Sequence, residues 1–254
     1  MGAKKLWLSP FSALSLFEFD TVGSTNTLAK EYAREKKRDA VFTAREQTGG
    51  RGRLGRSFSS PSGAGLYMSM LIHPKKSISD TMKLTALAAV AVCRVIERHT
   101  ELSPKIKWVN DIQLGGKKIA GILAEGEFSA GGALKFAVIG IGLNIERRDF
   151  GELSEIAVSL GDFMTNPPSA QLFLREIVRE FYRLYRKSEL SEELDYYRQH
   201  SSVIGKKITV YKKNSEFSAY AEDIDEGFAL IIERDGEREI LTSAEVSLRT
   251  VAAE

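Results

Sequence analysis

Apolar residues recur along this chain with two periods, and the changes from one to the other outline the elements of an α+β architecture. From Thr25 to Arg38 the positions Leu28, Ala29 and Tyr32 share one helical face. Ser24 or Thr25 is placed to cap this helix, and the cationic end at Arg34, Lys36, Lys37 and Arg38 suits its dipole. Ala40 to Arg45 and Leu66 to Ile72 read as strands. In the second, Leu66, Met68, Met70 and Ile72 alternate with Tyr67, Ser69 and Leu71, so both faces are largely apolar, as in a strand covered on two sides. Ser79 to Arg98 predicts a helix with Leu84, Leu87, Ala88, Ala91 and Val95 at core spacing, beside which Cys93 packs. Ile106 to Leu114, Lys117 to Phe128 and Leu134 to Ile145 are strand-like runs joined by Gly115-Gly116 and by Ser129-Ala130-Gly131-Gly132, which predicts an antiparallel meander. Pro168 to Lys187 is amphipathic, with Leu174, Ile177, Val178, Phe181, Leu184 and Tyr185 on its apolar face, and Glu192 to His200 continues in helical character. From Gly205 onward short runs such as Ile208-Thr209-Val210-Tyr211 and Ala229-Leu230-Ile231-Ile232 alternate with charged turns, the texture of a small β-barrel.

The expected organisation is therefore a mixed β-sheet domain with flanking helices over residues 1–204, followed by a small barrel over 205–254. The length of 254 residues and the apolar share of 43% accommodate a packed core and a smaller second unit. No stretch approaches the roughly twenty apolar residues that span a bilayer, and the N-terminus lacks the long apolar segment of a signal peptide, so a cytoplasmic location is the expectation. The single Cys93 rules out an internal disulfide, and His73, His99 and His200 are scattered, so no protein-borne metal site is expected. Basic and acidic residues nearly balance, but residues 205–254 carry 7 basic against 11 acidic, leaving 29 against 23 in the rest. That excess is too slight for a genome-binding protein, and no DNA partner is expected.

The basic excess gathers in one loop, Arg45 to Arg56, where Arg51, Arg53 and Arg56 are interleaved with Gly50, Gly52 and Gly55. These glycines spell G-x-G-x-x-G, and Gly50 to Ser57 also approaches a P-loop with Arg56 in place of its lysine. Each signature needs a helix to open next; instead Phe58-Ser59-Ser60-Pro61-Ser62-Gly63 comes after it, a loop. Charge must then come from side chains, and the planar guanidinium suits the task because it grips carboxylate and phosphate oxygens in pairs. Taken alone, the loop is equally readable as a solvated basic turn or as an arginine-glycine segment touching nucleic acid. Three other islands are polar or glycine-rich where core is expected: Ser24-Thr25-Asn26, Lys107-Trp108-Val109-Asn110-Asp111 with Lys118-Ile119-Ala120-Gly121, and Gly140-Ile141-Gly142-Leu143-Asn144. Lys107, Asn110 and Asp111 also fit a sheet edge or an Asx turn, and the two glycines a β-bulge.

In combination and order these islands resemble the biotin protein ligases, whose pattern runs S-T-N, G-R-G-R-x-G-R, K-W-P-N-D, K-x-x-G-I-L and G-x-G-x-N. All of these appear between Ser24 and Asn144, with Val109 in place of the proline of K-W-P-N-D. The barrel-like segment matches the family too. The resemblance implies a class II aminoacyl-tRNA synthetase-like catalytic domain of the biotin/lipoate ligase type and an SH3-like C-terminal barrel. It implies activation of biotin by ATP as biotinyl-5′-AMP, then transfer to a lysine of a biotin carboxyl carrier protein or domain. Biotin would contact Ser24, Thr25, Asn26, Gln47, Gly50, Arg51, Gly52, Arg53, Lys118 and Gly121. ATP or the adenylate would contact Arg53, Arg56, Phe58, Asn110, Lys118 and Asn144, with Mg²⁺ carried on the triphosphate. Lys118, Arg51, Arg53 and Asp111 are the expected catalytic set, Asp111 orienting Lys118 or helping remove the acceptor's proton. Only 23 residues precede Ser24, too few for the helix-turn-helix repressor domain of bifunctional members, so the monofunctional type is expected. A homodimer is the family's habit. The alternatives are a lipoate or octanoate ligase of the same fold and a non-enzymatic module for RNA or protein.

Glycine freedom and mutual arginine repulsion predict that residues 48–57 order only around a ligand, with biotin binding ahead of ATP. Trypsin is expected to cut after Arg51 or Arg53 in the free protein and to be slowed by biotin; equal cutting with and without biotin counts against an ordering loop.

Overall fold

The computed structural model describes residues 4–6, 14–74, 81–212, 215–242 and 247–250. Its larger sheet has eight strands, β1 (Lys4–Leu6), β2 (Leu14–Val22), β3 (Ala40–Gln47), β4 (Gly65–Ile72), β5 (Lys105–Lys107), β6 (Asp111–Leu114), β7 (Lys117–Phe128) and β8 (Leu134–Asn144). They lie in the order β1-β2-β3-β4-β8-β7-β6-β5. β2 and β3 are parallel and joined through helix α1 (Thr25–Glu35), whereas the other neighbours are antiparallel, so the sheet is mixed.

The two faces of this sheet are covered differently. Helices α2 (Thr81–His99), α3 (Ala170–Tyr185) and α4 (Ser191–His200) belong to the large core, which takes Leu66, Met68, Met70 and Ile72 from β4 and Ile139, Ile141 and Leu143 from β8. The opposite face holds a small cluster under α1, made of Ala29, Ala33, Ala40, Phe42, Leu71, Phe136 and Val138, with Phe17 and Phe42 stacked at 5.0 Å. Along β8 that second face reads Phe136, Val138, Gly140, Gly142 and Asn144, because side chains alternate with period two. Apolar cover thus ends where the glycines begin, and this leaves room for a site beyond the small cluster.

The smaller sheet has five antiparallel strands in the order β12-β11-β10-β9-β13: β9 (Lys206–Lys212), β10 (Ser215–Ile224), β11 (Leu230–Arg234), β12 (Glu237–Leu241) and β13 (Ser247–Thr250). It has the SH3-like character expected of the C-terminal segment. Two of the hairpins turn on residue pairs with positive φ at both positions, Gly115-Gly116 and Asp235-Gly236, as the twist of a two-residue hairpin requires. The large core continues into this sheet through Ile208, Val210, Leu230 and Ile232, and Trp108 Nε1 donates to the Phe228 carbonyl at 3.0 Å.

Several expectations need correction. The run Ile106 to Leu114 is not one strand: Trp108, Val109 and Asn110 form a turn between β5 and β6, so the meander has four strands. Val109 is buried in that turn, not in a strand, and its peptide bond to Trp108 is cis. α1 ends at Glu35, and the cations at 36–38 lie beyond it. Neither β1 nor β2 was anticipated from the pattern. Ser79 and Asp80, expected to open α2, lie outside the described residues, as do the chain ends. Cys93 is fully buried inside α2, where burial pushes its thiol well up, in keeping with a packing role. Among the described residues no helix is long and apolar enough to cross a membrane.

The Trp108–Phe228 hydrogen bond is buried and joins the two sheets. Trp108→Phe keeps most of the apolar contact but leaves a carbonyl without its donor, and is expected to lower stability by about 1–3 kcal/mol, read from the urea midpoint. An unchanged midpoint would mean that the link contributes nothing.

Candidate active site

Beyond the small cluster, between the first turn of α1, the loop 51–59 and the ends of β6 to β8, lies a cavity of about 910 Å³. Its walls include Ser24, Thr25, Asn26, Gln47, Arg51, Gly52, Arg53, Arg56, Phe58, Asn110, Asp111, Lys118, Gly121 and Asn144, so the separate islands of the sequence converge on one space. Gly50 alone of the expected residues is not in that wall. It lies behind it, where a Cβ would stand 2.4 Å from the Phe58 carbonyl oxygen, so only glycine lets the two backbone segments approach.

The floor is built from absent side chains. On Gly140 a Cβ would lie 2.3 Å from Asn26 Oδ1, and on Gly142 it would lie 2.4 Å from the Phe58 ring. Gly121 pairs with Gly142 across β7 and β8, and its own Cβ would crowd Lys118 and Phe58. The bare strip therefore lets a carboxamide and an aromatic ring lie directly on the sheet.

One end of the cavity is polar and uncharged. Ser24 begins α1 without spending its side chain on a capping bond, and the first turn of that helix holds no acid. The backbone N–H of Thr25 donates to Gln47 Oε1 at 2.9 Å, and Gln47 Nε2 donates to Ser60 Oγ at 3.1 Å. A helix N-terminus does face the site, although it belongs to α1 and not to the segment after the arginine loop. Because α1 lies upstream of that loop, the motif pattern over residues 50–63 carries no trace of it.

The other end is cationic, with Arg53, Arg56 and Lys118. The arginines diverge instead of clustering: Arg51 turns back to the first turn of α1 and donates to Thr27 Oγ1, while Arg53 reaches Asn110 Oδ1 at 3.1 Å. Burial pulls the Arg53 guanidinium below its ordinary pKa, and the Asp111 carboxylate opposes that shift. Asn110 is itself held by donating to the Ile122 carbonyl at 3.1 Å. Lys118 Nζ donates to Asp111 Oδ1 at 2.6 Å and lies 5.8 Å from the centre of the Phe58 ring. A register shift between Ile112 and Gln113 sets the local pairing of β6 with β7, and bulges of this kind re-aim side chains. The Lys118 backbone is fixed as well, its N–H donating to the Ile156 carbonyl at 2.8 Å and its carbonyl accepting from Val158 N–H at 2.9 Å. Asn144 donates to the Val158 carbonyl at 3.0 Å, while its Oδ1 is buried without a partner among the described residues.

Other residues of the site went unanticipated. Arg148 lines the cavity, lies 4.2 Å over the Phe150 ring and donates to Ser59 Oγ at 3.2 Å. Tyr211 reaches the wall from β9, so the smaller sheet contributes directly. Ser69, Glu125 and Lys30 lie beside the cavity, between α1 and the sheet. For Ser69 a signal existed, a lone serine in a largely apolar strand. Among the described residues no group of three or more His, Cys, Asp or Glu gathers as metal ligands would.

The chain is similar in sequence and fold to known proteins. Residues 18–144 match the model of the Biotin/lipoate A/B protein ligase family. The chain is 31% identical to the bifunctional ligase/repressor BirA of Bacillus subtilis over 240 residues, covering 92% of this chain and 74% of that protein. It is 29% identical to the biotin–[acetyl-CoA-carboxylase] ligase of Paracoccus denitrificans, over 88% of this chain and 96% of that one. Its fold matches the Aquifex aeolicus biotin protein ligase solved in complex with biotin and ATP, with a TM-score of 0.81 at 24% identity, covering 93% of this chain and 99% of the other.

Gly142 and Phe58 are predicted to be energetically coupled. Gly142→Ala should lose about 1–3 kcal/mol through overpacking against the ring and much less in a Phe58→Ala background. Additive losses in a denaturant double-mutant cycle would show that the ring does not rest on the glycine.

Proposed function

The chain belongs to the biotin/lipoate A/B protein ligase family, and on that premise we propose that it is an ATP-dependent biotin protein ligase forming biotinyl-5′-AMP. The observation that carries this reading is the meeting in one cavity of uncharged hydrogen-bonding groups at Ser24–Asn26 and Gln47 with the cations Arg53, Arg56 and Lys118, Arg51 standing beside the first group at Thr27. A bicyclic urea with an acid tail needs both. Its head needs a few placed partners, and its carboxylate must be brought against the α-phosphate of ATP although the two repel. Several fixed cations overcome that repulsion, so that positioning and charge neutralisation supply the catalysis.

Ser24, Thr25, Asn26 and Gln47 take the ureido head, with the backbone of Gly52 and Gly121 close to the bicycle; Gly50 serves by letting the loop pack. Arg51 and Arg53 hold the carboxylate and phosphate region, and Arg56 the polyphosphate. Lys118 bridges the biotin carboxyl and the α-phosphate. A carboxylate oxygen attacks the α-phosphorus, the bond to the bridging oxygen breaks, and pyrophosphate leaves; Mg²⁺ carried on the triphosphate would neutralise part of its charge. Asn110 and Asn144 contact the adenylate, and Phe58 offers its ring to the adenine. In the second step a lysine amine of a biotin carboxyl carrier domain attacks the acyl carbon, AMP leaves, and an amide forms as the amine loses its proton. Asp111 positions Lys118 through their 2.6 Å contact.

Pyrophosphate release is expected only with ATP and biotin together, followed by label transfer to a carrier domain. Lys118→Met should slow release by about a hundredfold or more, since it removes a donor aimed at developing charge. Release at the wild-type rate would remove Lys118 from the chemistry, and release driven by lipoate in place of biotin would move the chain to the sister branch of its family.

A further inference from the structure

Beside the cavity, between α1 and the sheet, runs a chain of hydrogen bonds whose direction is set from its far end. The Lys30 ammonium contacts Glu125 Oε1, and Glu125 Oε2 lies 2.8 Å from Asn26 Nδ2. Burial pushes the Glu125 carboxyl up, but the hydrogen bonds from Lys30 and Asn26 outweigh it and hold the group below the usual carboxylate range. A carboxylate only accepts, so the amide nitrogen of Asn26 must face it, and the same nitrogen makes a longer contact of 3.4 Å with the Leu123 carbonyl. The Asn26 oxygen, a pure acceptor, is thereby turned to Ser69 Oγ at 2.6 Å.

Ser69 has one hydroxyl hydrogen, and that contact takes it. On its other side Ser69 Oγ lies 2.7 Å from Thr25 Oγ1. Thr25 also has one hydrogen and two claimants, Ser69 Oγ at 2.7 Å and Gln47 Oε1 at 3.1 Å. Two oxygens facing each other with bare lone pairs repel more strongly at the shorter separation, so the hydrogen lies in the shorter gap. The orientation of Gln47 is fixed separately, since its Oε1 accepts from the Thr25 backbone at 2.9 Å and its Nε2 donates to Ser60 Oγ at 3.1 Å. Thr25 Oγ1 and Gln47 Oε1 then stand 3.1 Å apart in the cavity wall with no hydrogen between them.

We propose that Glu125, through Asn26 and Ser69, is a positioning residue that makes Thr25 and Gln47 a paired acceptor and so selects a ligand presenting an N–H group at that point. The inference rests on biotin as the ligand and deepens it: the N–H is one of the two in the ureido ring. An isostere with oxygen in place of nitrogen leaves two acceptors facing a third. In Glu125→Gln, Lys30 holds the oxygen of the new amide, whose nitrogen then faces Asn26 and favours the reversed chain over the weaker 3.4 Å contact of Asn26 with the Leu123 carbonyl. Asn26 then donates to Ser69, Ser69 to Thr25, and Thr25 to Gln47, which satisfies the pair internally. Ser69→Ala frees the Thr25 hydrogen for Gln47 without touching any charge and with almost no change of shape.

The test is isothermal titration of the wild type, Glu125→Gln and Ser69→Ala with biotin and with its cyclic carbonate isostere, in which both ureido N–H groups are ring oxygens. Melting temperatures establish that each variant is folded. The wild type is expected to prefer biotin by about ten- to a hundredfold, the effect of leaving buried acceptors unpaired, and both variants to lose most of that preference. A purely structural role would weaken both ligands together and leave the ratio unchanged, and an unchanged ratio overturns the proposal. Should Glu125→Gln not fold, Ser69→Ala decides alone. Failure of the wild type to bind biotin at all would instead overturn the reading of the ligand on which the proposal stands.

Discussion

The surface of a β-sheet is normally held away from its neighbours by its own side chains, and this site depends on a strip where it is not. Gly140, Gly142 and Gly121 strip the ends of β7 and β8 of cover on the α1 face, so that Asn26 and Phe58 come to lie on the backbone itself. The cost is a weakened strand centre, since glycine is entropically unfavourable there. Long pairing offsets it: β8 is hydrogen-bonded along its length to β4 on one side and β7 on the other. The large core stays unbroken on the opposite face, where Ile139, Ile141 and Leu143 alternate with these glycines. One strand therefore packs the core with one set of residues and borders the cavity with the other.

The same division governs the charged end. Lys118 is tied at its backbone to the segment Ile156–Val158 and at its ammonium to Asp111, whereas Arg51 and Arg53 are drawn apart to Thr27 and Asn110. Each cation is therefore partnered by a group that anchors it without filling the cavity. Tyr211 and the Trp108–Phe228 hydrogen bond bring the smaller sheet into this arrangement, so the wall of the cavity and the packing between the sheets are built from the same turn.

Much of this was legible in the chain, and the exceptions have physical reasons. Long periodic elements such as Ala170–Tyr185 were read to within two residues at each end, because one amphipathic face decides them. The turn at Trp108–Asn110 was not, since an apolar tryptophan and valine look like strand when their burial comes from the second sheet. β2 was missed although Leu14 and Leu16 alternate with Phe17 and Phe19 into different clusters. Its partner β3 is parallel and comes from beyond a whole helix, so no local turn announces it. The expected residues of the compact motifs, Gly50 apart, line one cavity. Ser69, Glu125 and Arg148 went unread, because each stands alone in its segment and gains meaning only from contacts far along the chain.

The charges around the cavity are unequal. Arg51, Arg53, Arg56, Lys107, Lys118 and Arg148 line it against the acids Asp111 and Glu155, and burial lowers the pKa of Arg53. Holding like charges around a partly dry space disfavours the resting fold, and an anion arriving there relieves it. An uncharged head group gains nothing from those cations and must be recognised by hydrogen-bond direction alone. On the proposed reading the two demands are met by different means, long-stemmed cations for the acid and a buried chain of polar groups for the head. Separating them would let the acid end reorganise while Thr25 and Gln47 keep the head in place.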